Sequence, residues 1–157
     1  MPNGPRYDDD FYAWTQHQAA VLRELATTDN RFDRAHVAEE IEDLGKSERD
    51  AVRSRIRRII EHLLKLAHAP AEPPRPDWMD TIDDARQTIS DKITATLQTD
   101  AAASLDQLYA QARRQAGRSL RRYGECGAAD ALPHDCPYSL DDICRDDWYP
   151  ERPGAKP

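Results

Sequence analysis

Long apolar runs are missing from this 157-residue chain. The longest, Ile59 to Ala69, is interrupted by Glu61, His62, Lys65 and His68, well short of the ~20 apolar residues of a membrane-spanning helix. Runs of β-branched or aromatic residues are missing too, which disfavours strands. There is no Gly-x-Gly-x-x-Gly, no P-loop lysine pattern, no Gly-x-Ser-x-Gly and no His-Glu-x-x-His. The common nucleotide, hydrolase and metalloprotease readings therefore have no footing. Helix-turn-helix and zinc-finger patterns are also absent. Cysteine is scarce, and Cys126, Cys136 and Cys144 all fall in the last third. The opening residues Met1 to Asp10 are polar and acidic rather than a leader. The expectation is a cytoplasmic protein with reduced thiols, no cofactor and no membrane association.

What is present is charge on a helical framework. Charged residues make up 32% of the chain and hydrophobic ones 39%. A narrow core under a heavily solvated surface suits amphipathic helices, each of which needs only an apolar stripe. The net charge of −7 argues against non-specific binding to nucleic acid or anionic membranes as the main activity.

Periodicity predicts four main helices. The first begins near Asp8 and ends at Thr27 to Asn30, with Phe11, Trp14, Gln18, Val21, Leu22 and Leu25 on its apolar face. The second is capped by Asp33 and runs to His68, with an acidic first half and a basic second half. Its stripe is Val37, Ile41, Leu44, Val52, Ile56, Ile59, Leu63 and Leu66. At roughly 50 Å it outreaches a domain of this size, so it is exposed at one end, part of an oligomer, or broken near Gly45. Continuity or a mild kink is the expected outcome, because one helical glycine costs only ~1 kcal/mol. Four prolines between Ala69 and Pro76 form an extended connector. A third helix follows from Asp77–Trp78 to about Thr99. A fourth, capped by Asp100 or Ser104, ends at Tyr123–Gly124. The tail is irregular, holds one short turn from Leu140 to Arg145 capped by Ser139, and packs back on the bundle. The predicted class is all-α: a bundle of about four main helices with one long central helix. Residues 7–150 form a single domain in this reading, and 1–6 and 151–157 are flexible ends.

Several constellations have residue types suited to chemistry. His36, Glu39, Glu40 and Asp43 share one helix face at i, i+3, i+4 and i+7 and are the candidate metal ligands. Helix-bundle metal sites use a Glu-x-x-His pair, and no acid within the long helix sits three residues before a histidine. The plainer reading is a solvated helix start, with Glu40 or Asp43 partly buried against an arginine of the fourth helix. Arg49, Arg53 and Arg57 on the second helix, with Arg113 and Arg118 on the fourth, are the candidate phosphate or nucleic-acid contacts. Their plainer reading is a solvated, ion-paired face. Cys126, His134, Cys136 and Cys144 lack the paired spacing of a zinc site, so Cys136 and Cys144 are read as packing residues. The aromatic residues Tyr7, Phe11, Tyr12, Trp14, Trp78, Trp148 and Tyr149 are read as core and docking contacts.

Motifs spread over the chain also carry a resemblance. Tyr7-Asp-Asp-Asp-Phe-Tyr-Ala-Trp14, the segment Glu39 to Glu48 around Gly45, His62 to Leu66, Cys136 to Ile143 and Trp148-Tyr149-Pro150 resemble the bacterial domain-of-unknown-function family 29. The sequence departs from that pattern at Thr15, where the family often has leucine. The resemblance implies an all-helical domain and supplies no catalytic residues. The functional expectation is a non-enzymatic binding, adaptor or self-associating protein, with a homo-oligomer or a protein as partner. The alternatives are an antitoxin-like nucleic-acid binder and a metal-dependent enzyme.

Overall fold

The computed structural model describes residues 3–154. It contains six helices: α1 Phe11–Glu24, α2 Arg34–His68, α3 Arg75–Lys92, α4 Ala95–Arg122, α5 Cys126–Asp130 and α6 Leu140–Cys144. No strand occurs among the described residues. The flexibility expected of residues 1–2 and 155–157 lies outside the described residues.

Helix α2 is continuous over 35 residues, about 52 Å at 1.5 Å per residue, and Gly45 does not break it. Its two halves live in different environments. From Val52 onward Ile56, Ile59, Ile60, Leu63, Leu64 and Leu66 are all buried, and in the last turns His62 and Lys65 are buried too, so that from Ile59 to Leu66 only Glu61 escapes full burial. Neighbours lie on several sides. Lys92 reaches Glu48 at 3.1 Å and Lys65 lies over the Trp78 ring at 5.4 Å, so α3 runs antiparallel to α2. Arg53 meets Asp100 at 2.6 Å and Arg57 meets Gln111 at 3.4 Å, so α4 runs parallel to it. The tail completes the enclosure with Leu132, Tyr138 and Ile143.

Backbone carbonyls of the tail anchor it to both flanking helices. Tyr109 Oη donates to Pro133 O at 2.5 Å and Arg113 Nε to the same oxygen at 2.8 Å. Arg86, only 3% exposed, donates to Ile143 O at 2.9 Å and Asp142 O at 3.2 Å. The tail is thus part of the core, as expected. The expected Ser139 cap forms a full capping box with Asp142. Helix α5 was not anticipated. It follows directly from the expected end of α4, where Gly124, at φ +80°, completes a Schellman motif. Gly124 N–H donates to Arg121 O at 3.0 Å and Glu125 N–H to Leu120 O at 2.9 Å.

Three boundaries of α3 and α4 differ from the sequence reading. Helix α3 starts at Arg75, not Trp78, because prolines are tolerated in a first turn whose N–H groups have no helical partner. It ends at Lys92, not Thr99, and α4 is capped by Thr94 rather than Asp100 or Ser104. Ile93 and Thr94 are both extended, with ψ near 132° and 169°, and reverse the chain in two residues. The apolar spacing of Ile89, Ile93 and Leu97 runs through this break without a gap. Periodicity therefore could not reveal it.

The break is secured from a distance. Asp10 is the N-cap of α1, accepting from Ala13 N–H at 2.9 Å, and its other oxygen accepts from Thr96 N–H at 3.1 Å in the first turn of α4. One carboxylate caps two helices. Partial burial works to raise its pKa, but the hydrogen bonds from Ala13, Thr96 and Thr94 outweigh that and hold it below its ordinary value.

Up to Gly45 α2 packs on α1, and the contact is made by small residues. Thr15 and Ala19 of α1, with Ala38 and Gly45 of α2, are buried. A Cβ on Gly45 would lie 1.9 Å from Thr15 Oγ1 and 2.7 Å from Gln16 Nε2. Gln16 uses the proximity to donate to Glu42 O at 3.1 Å. The expected α1 face was therefore misplaced. Val21 and Leu25 are exposed, and so are Val37 and Leu44 of the expected α2 stripe.

Two stability predictions follow from these contacts. Gly45→Ala gains up to ~1 kcal/mol of helix propensity but overpacks the crossing by about 1–3 kcal/mol. Chemical denaturation is expected to show net destabilisation, partly reversed by adding Thr15→Ala. Asp10→Ala removes both caps and is expected to cost about 1–2 kcal/mol or more, whereas Asp10→Asn retains much of it. Because the folded Asp10 carboxyl is held below its ordinary value, its contribution is present above that value and is lost as pH falls through the folded pKa. Acid melts of wild type and Asp10→Asn should diverge in that window.

Candidate functional site

The α1–α2 hairpin projects beyond the core as an arm. Among the described residues the exposed large hydrophobics are Tyr7, Val21, Leu25, Phe32, Val37, Leu44 and Tyr123. Six of these seven lie on the arm, which makes them a surface and not scattered singles. Helical geometry places Trp14, Val21 and Leu25 of α1 on the same side of the hairpin as Val37, Ile41 and Leu44 of α2. Tyr7, Phe11 and Trp14 extend that side as an aromatic cluster, with ring centroids 4.9–6.0 Å apart. This cluster sits on the arm and is absent from the central core.

The arm also holds the charge. Residues 7–50 contain twelve Asp and Glu against five Lys and Arg, so this segment alone carries −7, the net charge of the whole chain. The polar side of the hairpin is internally paired: Arg23 meets Glu42 at 3.1 Å and Lys46 meets Glu42 at 3.3 Å. Arg23, then Lys46, hold the Glu42 carboxyl below its ordinary value.

The four candidate metal ligands do not converge. The acid that reaches His36 is the cap residue Asp33, 2.6 Å from Nδ1. Its hydrogen bond lifts His36 above the ordinary histidine value. Asp43 turns to Lys46 at 3.6 Å, and Glu39, Glu40 and Asp43 are exposed. Neither Glu40 nor Asp43 is buried against α4, correcting that expectation: this half of α2 extends beyond the closely packed part of the bundle. Among the described residues no three His, Cys, Asp or Glu side chains are placed to hold a metal ion.

The five candidate arginines separate into four environments. Arg49 pairs with Asp50 at 3.0 Å. Arg53 forms a two-pronged pair with Asp100, at 2.8 and 2.6 Å, which raises its pKa further. Arg113 faces the tail and is used up on Pro133 O and Leu132 O. Arg57 and Arg118 do come together. With Arg58 and Arg114 they line an open groove of about 640 Å³ between α2 and α4. The sequence pattern did not single out Arg58 for this groove, because the facing of α2 against α4 is a tertiary fact.

In the tail, His134 is exposed and meets Asp135 at 3.0 Å, while Cys136 Sγ donates to Tyr138 O at 3.3 Å. Burial pushes the Cys136 and Cys144 thiols up, the opposite of nucleophile activation. All three cysteines are free. No helix among the described residues is long and apolar enough to cross a membrane.

Comparison with known proteins agrees with this architecture. A crystal structure of an alpha-helical protein of unknown function from Rhodospirillum rubrum is similar, with a TM-score of 0.79 and 25% identity over 92% of each chain. No curated protein matches. The pattern of the family described as Domain of unknown function DUF29 matches residues 6–149. The chain belongs to the DUF29 family.

Proposed function

We propose that this protein acts by binding rather than by catalysis, as a helical adaptor of the bacterial cytoplasm whose α1–α2 arm receives an amphipathic, basic segment of a partner protein. The observation that carries this reading is the coincidence of two properties on one element. The arm bears six of the seven exposed large hydrophobics among the described residues and the whole net charge of the chain. An apolar face with an acidic surround suits a helix whose apolar stripe is flanked by Lys or Arg. A second copy of the arm would bring −7 against −7, which disfavours self-pairing. The free cysteines fit a reducing compartment.

The test uses two designed amphipathic peptides, one pairing leucine with lysine and the other leucine with glutamate. Fluorescence anisotropy at low salt is expected to show binding of the lysine peptide alone, weakening as salt rises. The double variant Leu25→Glu, Leu44→Glu makes the arm more acidic while removing its apolar face, and is expected to abolish binding. Unchanged or tighter binding by that variant would reduce the effect to bulk charge and overturn the reading. So would sedimentation showing a dimer that the same variant dissociates, which would assign the face to a second copy.

A further inference from the structure

The groove between α2 and α4 is independent of the arm and has a different chemistry. We propose that it binds a compact oligophosphate group, held by Arg57 and Arg58 from α2 and Arg114 and Arg118 from α4. None of these four arginines has a carboxylate partner among the described ion pairs. The acid in the groove, Glu61, is i+4 from Arg57 and i+3 from Arg58, yet it is paired with the buried Lys65 at 3.2 Å. Four guanidinium groups are thus left facing one opening. Like charges on one helix ridge, as Arg114 and Arg118 are, destabilise it when nothing lies between them.

An anion relieves that repulsion, and phosphate oxygens match the planar, forked donors of arginine. Further polar groups come from Ser54, Gln111 and Gln115. A volume of about 640 Å³ lies in the range of small-molecule sites.

The lining also narrows the ligand class. No aromatic side chain lines the groove, so nothing is placed to stack a base. The acidity that opposes polyanions lies on residues 7–50, and the remaining residues are neutral overall. The groove starts at Ser54, beyond the acidic segment. A short, dense anion can therefore occupy it, whereas a long nucleic acid would run on toward the acidic arm.

Calorimetric titration of the full chain with sodium tripolyphosphate tests this. Saturable binding at low salt is expected, with a thermal midpoint that rises with ligand. Arg57→Gln with Arg118→Gln should weaken binding by about tenfold or more, while leaving the helical signal and the ligand-free midpoint unchanged or improved. Arg122→Gln, exposed on α4 but outside the groove, should bind as wild type. ATP should bind no more tightly than tripolyphosphate. The proposal is overturned by absence of saturable binding, by equal loss in Arg122→Gln, or by ATP or single-stranded DNA binding more tightly than tripolyphosphate through the same arginines.

Discussion

Enclosure of α2 from Val52 to Leu66 is the constraint on which the rest of the structure depends. From Ile59 to Leu66 every residue but Glu61 is buried, the polar His62 and Lys65 included, so no single neighbour can cover it. Helices α3 and α4 take two sides and the tail takes a third. This explains why an irregular C-terminal stretch is pinned so firmly. Arg86, Tyr109 and Arg113 donate to tail carbonyls, which satisfies backbone groups that burial would otherwise strand. It also explains the short link between α3 and α4. Two helices flanking a third in opposite directions need a sharp reversal, and Ile93–Thr94 supplies it under the Asp10 cap.

The other half of α2 is governed by a different rule. Up to Gly45 it packs on α1, which sits close because Gly45 lacks a side chain. Small residues at the crossing bring the backbones together, but they bury little apolar area. The larger apolar side chains of both helices are left outside. The same geometry that holds the arm together therefore exposes Val21, Leu25, Val37 and Leu44. Core and open surface are separated along one helix: the C-terminal half builds the core, and the N-terminal half leaves apolar side chains exposed.

Charge follows the same division. The acidic excess belongs to the arm, and four arginines without a carboxylate partner among the described residues line a groove beside the core. A single net charge conceals both features, since a sum over the chain carries no position. An apolar acidic arm and a polar basic groove suit the opposite kinds of ligand proposed for them, and the two surfaces are separated along α2.

Much of the fold was legible in the residues themselves. The extent of α2, the Asp33 and Ser139 caps, the end of α4 at Gly124 and the docking of the tail all follow from local chemistry: capping oxygens, a left-handed glycine and apolar content. The α3–α4 break was not legible, because its decisive partner, Asp10, lies 86 residues from Thr96 and the apolar period crosses it undisturbed. The site was legible only in part. Arg57 and Arg118 were recognisable as helix-face arginines, but so were Arg49, Arg53 and Arg113, which the fold commits to Asp50, Asp100 and the tail. The apolar residues at 37 and 44 carry the same spacing as those at 52 and 59, yet only the latter are covered. Sequence by itself determined the four main helical segments and the ends of α2 and α4, since those depend on near neighbours. Which charges stay free and which apolar stripes stay open was decided by tertiary structure alone, because both depend on what another helix brings to the same place.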